Sequence, residues 1–124
     1  MVNQILLYLG AFFLLLWGIA HLFPTKSVVE GFGEISLDNK RIITMEWIVE
    51  GIALIFIAAV VASVTCLDYT SVVSKTIYWI SFVILNALSI VSLLTGFKVN
   101  FLPFKLCPVI FTAASILILL GSLI

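Results

Sequence analysis

Four long apolar stretches dominate the sequence, and short polar segments separate them. They cover residues 2–23, 42–66, 77–96 and 102–124. A helix needs about 20 mostly apolar residues to cross the hydrocarbon core of a bilayer, and each stretch is long enough. The runs are unbroken, whereas the strands of a membrane β-barrel alternate apolar and polar residues. The pattern therefore predicts an all-α integral membrane protein, folded as a single domain with four transmembrane helices in an antiparallel bundle.

Composition supports lipid as the solvent. Hydrophobic residues make up 64% of the 124 residues and charged residues 10%, whereas ordinary soluble domains are about a quarter charged. A soluble domain of this size buries only about 60–70% of its unfolded surface, which is too little for so apolar a chain. The six basic residues form no basic stripe, so nucleic acid is not expected as a partner and membrane lipid is.

The segment between the first two spans is the only connection with room for structure. Pro24 suits a first helical turn, so residues 24–30 are expected to form a short helix lying in the membrane interface. The sequence from Gly31 to Gly33 should end it, and Ser36 or Asp38 should cap the second span. The other connections are short, which predicts that the second, third and fourth spans are successive antiparallel neighbours.

Positive charge is distributed unequally between the two sides of the predicted bundle. One side carries Lys26, Lys40, Arg41, Lys98 and Lys105, and the other carries only Lys75. Positive residues in short loops favour the cytoplasmic side. The first and third connections are therefore expected in the cytoplasm of a cell-membrane protein, with both termini outside and the first span retained.

Ionisable residues inside a span are costly and therefore informative. Glu46 and Glu50 are one turn apart on the second span and share a face. Counted from Ile42, they lie roughly 6 and 12 Å deep, which would place Glu50 close to the middle of the bilayer. His21 lies in the last turn of the first span, on a face with small residues such as Gly18, and should point inward.

Other polar residues are predicted at the same depth on the third and fourth spans. Asn86 and Thr112 each lie roughly 15 Å from the nearer span end, and Ser89 shares a helix face with Asn86. We expect a polar layer of Glu50, Asn86 and Thr112 inside the bundle. His21, Glu46 and Trp47 should lie nearer the cytoplasmic mouth, where tryptophan also serves as an interface anchor.

Each of these residues has a structural alternative to a functional role. Glu50 either takes part in ligand and proton binding or hydrogen-bonds to Asn86 or Thr112 only to join the helices. His21, Glu46 and Glu50 resemble a metal-binding facial triad, but the chain has no second histidine and no ligand motif. No metal or cofactor is therefore expected. No nucleophile motif is present, so whether the protein is an enzyme stays open.

The stretch Gly18-Ile-Ala-His21-Leu-Phe-Pro24, closing the first of four short spans, resembles the corresponding part of DoxX-like small membrane proteins. The resemblance covers the first span and the four-span layout. It implies a four-helix bundle. Members of that family are described either as subunits of quinone-linked oxidoreductases or as assembly factors for membrane receptors, so the resemblance leaves function open.

Two functional hypotheses follow. In the first, an intramembrane polar pocket binds a small amphipathic or lipid-like molecule, such as a quinone or a sterol-like compound, and Glu50 exchanges a proton with it. In the second, the protein is a non-catalytic accessory or assembly subunit, in a homo-oligomer or a larger membrane complex. A stripe of small residues and tryptophan on the second span would then be the docking surface. Its members are Trp47, Gly51, Ala58 and Ala62.

Overall fold

The computed structural model describes residues 1–124 and is helical throughout, with no strand. Four of its helices are long and apolar enough to cross a membrane, as predicted. The α-helices are α1 (Val2–Leu22), α2 (Thr25–Glu30), α3 (Leu37–Asp68), α4 (Val72–Leu94) and α5 (Leu102–Leu123). A single 3₁₀ turn, Gly96–Lys98, lies between α4 and α5.

Short polar residues set the beginnings of the helices. The hydroxyl of Ser36 accepts a hydrogen bond from the backbone N–H of Asn39, so Ser36 rather than Asp38 caps α3. Ser71 caps α4 in the same way through the N–H of Ser74. Gly33 has a positive φ of 73° and turns the chain between α2 and α3. The short helix expected after the first span is present, beginning one residue after Pro24.

Helix α1 packs against both α3 and α5, and α5 also packs against α4. Helices α3 and α4 contact each other much less, although they are joined by a tight turn. Their polar contacts lie near that turn, where the hydroxyls of Thr65 and Tyr78 are 2.9 Å apart and Ser74 donates to the carbonyl of Val64. The second, third and fourth spans were expected to be successive neighbours; α3 does contact α4, but its main partner is α1.

Two glycines explain why α1 and α3 pair so closely. A Cβ built on Gly18 would lie 2.8 Å from the carbonyl oxygen of Gly51, and one on Gly51 would lie 3.0 Å from the carbonyl of Gly18. No larger residue fits at this crossing without moving a backbone. Trp47, Gly51 and Ala58 of the proposed docking stripe are consequently buried inside the molecule. That stripe is not an external surface, and this part of the accessory-subunit hypothesis is wrong.

Candidate functional site

The site begins with His21, in the last turn of α1. Its side chain is only 4% exposed, which confirms that it points inward. The Nδ1 atom lies 3.1 Å from the carbonyl oxygen of Trp17, one turn earlier. Because a carbonyl only accepts, Nδ1 must carry the hydrogen. The opposite ring atom, Nε2, is therefore the one that is free to gain or lose a proton.

Glu50 of α3 is the partner of that second nitrogen. Its Oε1 lies 3.5 Å from Nε2 of His21, and its side chain is 39% exposed. With Nε2 protonated, this contact is an ion pair between an imidazolium and a carboxylate. The imidazole is buried, whereas the carboxyl group of Glu50 reaches the surface of the bundle.

Trp47 fixes the position of the imidazole. Its ring stacks on His21 with a centroid separation of 4.8 Å, and its indole N–H donates to the backbone carbonyl of His21. The ring of Phe104 on α5 packs nearly perpendicular to that of Trp47, with centroids 5.5 Å apart. The imidazole of α1 is therefore held by α3, which in turn contacts α5.

The sequence analysis separated Glu50, at mid-depth, from His21 near the mouth, whereas the structure brings these two side chains together. His21 is the penultimate residue of α1, so Glu50 lies beside the end of that helix. The depth of Glu50 in a bilayer stays a prediction.

The predicted polar layer does not form. Asn86 donates to the carbonyl of Phe82 in its own helix, at 2.7 Å, and makes no hydrogen bond to Glu50. The hydroxyls of Ser89 and Thr112 lie 2.8 Å apart, and Ser89 also donates to the carbonyl of Pro108. These bonds join α4 to α5. Ser89 and Thr112 thus act between helices, while His21, Trp47 and Glu50 form a separate group.

A cleft of about 450 Å³ lies directly outside Glu50, where α3 and α4 diverge. Glu46 and Glu50 line one wall, and they are the only charged residues in the lining. The other lining residues are hydrophobic: Phe32, Ile42, Ile43, Trp47, Val49, Ala53, Leu54, Leu88 and Phe104. The cleft is apolar apart from two carboxyl groups one helical turn apart.

A second, smaller space continues the cleft beneath α2. It has a volume of about 290 Å³ and shares Phe32 and Phe104 with the cleft as lining residues. Neither phenylalanine was predicted to take part in the site. The sequence did contain one signal, the position of Phe32 between Gly31 and Gly33. A large apolar side chain in a polar connection is expected to pack against another apolar surface.

The polar groups around the cleft accept hydrogen bonds more readily than they donate them. The indole N–H of Trp47 is used by the carbonyl of His21. Both nitrogens of His21 are engaged, by Trp17 and by Glu50. What remains open to a bound molecule is the carboxyl group of Glu46 and the exposed side of Glu50.

The metal alternative gains no support from the geometry. No three His, Cys, Asp or Glu side chains come together in a way that could hold a metal ion. Glu46 is exposed and forms no ion pair, whereas Glu50 turns toward His21. The two carboxylates and the imidazole therefore do not converge on one point.

Comparison with known protein families, curated proteins and solved structures finds no match to this chain. The resemblance to DoxX-like proteins stays a prediction, and the functional assignment depends on the geometry of the site.

Proposed function

We propose that this protein binds a small amphipathic or lipid-like molecule in the cleft between α3 and α4, with the molecule's polar end at Glu50. The observation that carries the proposal is a partly exposed carboxyl group, backed by a buried histidine, in the wall of an apolar cleft. The cleft volume of about 450 Å³ falls within the range of small-molecule sites.

The proposed setting is a cell membrane, with the four long helices antiparallel and the lysine-rich connections in the cytoplasm. The short helix α2 then lies in the interface on that side. The cleft opens sideways into the cytoplasmic leaflet, so a ligand reaches Glu50 from the lipid rather than from water. This direction of access suits a molecule that is itself dissolved in the membrane.

The open groups of the cleft favour a ligand that donates a hydrogen bond. A sterol-like hydroxyl group can donate to the carboxylate of Glu50 directly. A quinone carbonyl only accepts, so it requires Glu50 in its protonated form. In that case the protonated carboxyl group of Glu50 would donate a hydrogen bond to the quinone and keep its proton.

The proposal is tested by narrowing the cleft without changing its charge. Ala53 lines the cleft, so Ala53→Trp should fill it. Ala59 is an exposed residue of the same helix that lies outside the cleft, so Ala59→Trp is the matched control. Thermal unfolding in a non-ionic detergent is measured with and without a long-chain alcohol, a sterol and a short-tailed quinone.

We expect at least one of these compounds to raise the melting temperature of the wild type and of Ala59→Trp, and not that of Ala53→Trp. Glu50→Gln should reduce the shift, because a charge-assisted hydrogen bond is worth about 1.5–3 kcal/mol. Equal shifts for both tryptophan variants would place the ligand elsewhere and refute the proposal.

A further inference from the structure

The cleft has a negative charge that nothing in its lining balances. Glu46 and Glu50 line it together, and no lysine or arginine does. Two cations on this side have partners of their own: Arg41 lies 3.7 Å from Asp38, and Lys26 lies 3.9 Å from Glu30. Lys40, Lys98 and Lys105 form no ion pair and do not line the cleft. Glu46 has no ion-pair partner in the structure.

The imbalance remains even when His21 is charged and pairs with Glu50. An imidazolium at His21 would neutralise one carboxylate, which leaves the other unbalanced. Opposite charges attract more strongly beside an apolar wall than in water, because the effective dielectric constant is lower there. The electrostatic surroundings therefore favour a positive group between Glu46 and Glu50 and disfavour an anionic lipid headgroup.

The walls of the cleft suit the remainder of such a molecule. Phe32 and Phe104 present aromatic rings in the same lining as the two carboxylates, and aromatic faces attract alkylammonium groups. Deeper along α3, the walls are formed by Ala53, Leu54 and, from α4, Leu88. A positive head at Glu46 and Glu50 would thus have an apolar path for its tail.

We propose that the natural ligand class is a lipid-soluble amine: an amphiphile with a positively charged nitrogen at Glu46 and Glu50 and an apolar tail along Ala53 and Leu88. This inference rests on the proposed function, since it specifies the head group of the ligand in the same cleft. The inference favours an amine over neutral alcohols and quinones, because a neutral head group is not attracted by the unbalanced charge of Glu46.

The test compares three probes that share one tail and differ in head charge. Decyltrimethylammonium is cationic, decanol is neutral and decyl sulfate is anionic. Each is titrated into the purified full-length protein in a non-ionic detergent, and its apparent affinity is obtained from the rise in melting temperature. The cleft is filled in Ala53→Trp, so any change that a probe causes in the melting temperature of this variant comes from its effect on the micelle. That change is subtracted from the one measured for the wild type.

We expect the cationic probe to bind about tenfold more tightly than decanol, and decyl sulfate to give no shift beyond that of Ala53→Trp. Glu46→Gln should remove most of the preference for the cation. Glu46→Gln should fold like the wild type, because Glu46 is exposed and makes no ion pair. Glu30→Gln changes a carboxylate outside the cleft and should leave the preference intact.

The outcomes separate the two proposals. If decanol binds as tightly as the cation, and Ala53→Trp abolishes binding of both, the cleft is a ligand site and the amine inference is overturned. The same holds if Glu46→Gln leaves the preference unchanged. If no probe shifts the wild type beyond Ala53→Trp, the proposed function fails and the amine inference fails with it.

Discussion

At the scale of single residues, Trp47 joins parts of the molecule that are far apart in sequence. It stacks on His21, packs nearly perpendicular to Phe104 and donates its indole N–H to the backbone of α1. The carbonyl of His21 belongs to the last turn of α1, where carbonyls lack helical partners. Trp47 therefore donates a hydrogen bond to a carbonyl at the end of α1. Its contacts also fix the distances from α3 to α1 and to α5.

Replacing Trp47 by phenylalanine keeps a ring and removes that donor. We expect Trp47→Phe to lower the free energy of unfolding by about 1–3 kcal/mol, because a buried carbonyl loses its partner. The measurement is reversible unfolding in mixed micelles. Trp79→Phe is the matched control, since Trp79 is exposed and its indole makes no hydrogen bond in the structure. Equal losses for both variants would contradict the role assigned to Trp47.

Residue types and spacings predicted the inward orientation of His21 correctly. The small residues on the face of His21 predicted its inward orientation, and the rarity of carboxylates in spans singled out Glu50. Spacing failed for Asn86, because depth along a helix says nothing about the rotation of that helix. The amide found its hydrogen bond within α4, at Phe82, instead of across the bundle.

At the scale of helices, the crossing of α1 and α3 at Gly18 and Gly51 positions the whole site. His21 lies three residues after Gly18 on α1, and Glu50 directly precedes Gly51 on α3. A change in the separation of the helices at the crossing therefore changes the distance between the imidazole and the carboxylate.

The variant Gly18→Ala tests this dependence. The added Cβ would lie 2.8 Å from the carbonyl of Gly51, so the helices must separate. We expect a loss of about 1–3 kcal/mol in the free energy of unfolding, together with weaker binding of any ligand that requires Glu50. Gly96→Ala is the control, because its nearest contact would be an ordinary 3.5 Å to Phe104. Wild-type stability and binding in Gly18→Ala would show that the crossing does not position the site.

Helix bounds show what hydropathy can and cannot predict. The apolar run from residue 42 located the second span, but the helix itself begins at Leu37 and includes Asp38, Lys40 and Arg41. Hydropathy reports which residues lie in lipid, whereas a helix continues into water wherever a cap and good helix formers allow it. The cap predicted at Ser36 or Asp38 marks this start of α3, which hydropathy alone does not show.

At the scale of the whole molecule, the sequence predicted the number of spans, and the structure confirms four. It did not predict which helices pair, because short connections favour neighbours in sequence and the glycine contact of α1 with α3 prevails here. The orientation in the membrane stays a prediction from the lysine and arginine bias.

Orientation is measurable with single cysteines in a variant lacking Cys66 and Cys107. A cysteine at Thr70, in the turn between α3 and α4, should react with a membrane-impermeant maleimide in intact cells. A cysteine at Asn100, between α4 and α5, should react only after permeabilisation, because the positive side is predicted to be cytoplasmic. The reverse pattern would place the cleft in the outer leaflet.

The length of α3 between its two polar contacts has a consequence for the membrane itself. Trp47 is bonded to α1 near one end and Thr65 to Tyr78 near the other, with buried Leu54 and Val61 between them. The 18 residues from Trp47 to Thr65 span about 27 Å, close to the hydrocarbon thickness of about 30 Å. The distance between the two contacts thus matches the thickness of one bilayer. A markedly thicker bilayer would tilt the protein or strain both contacts.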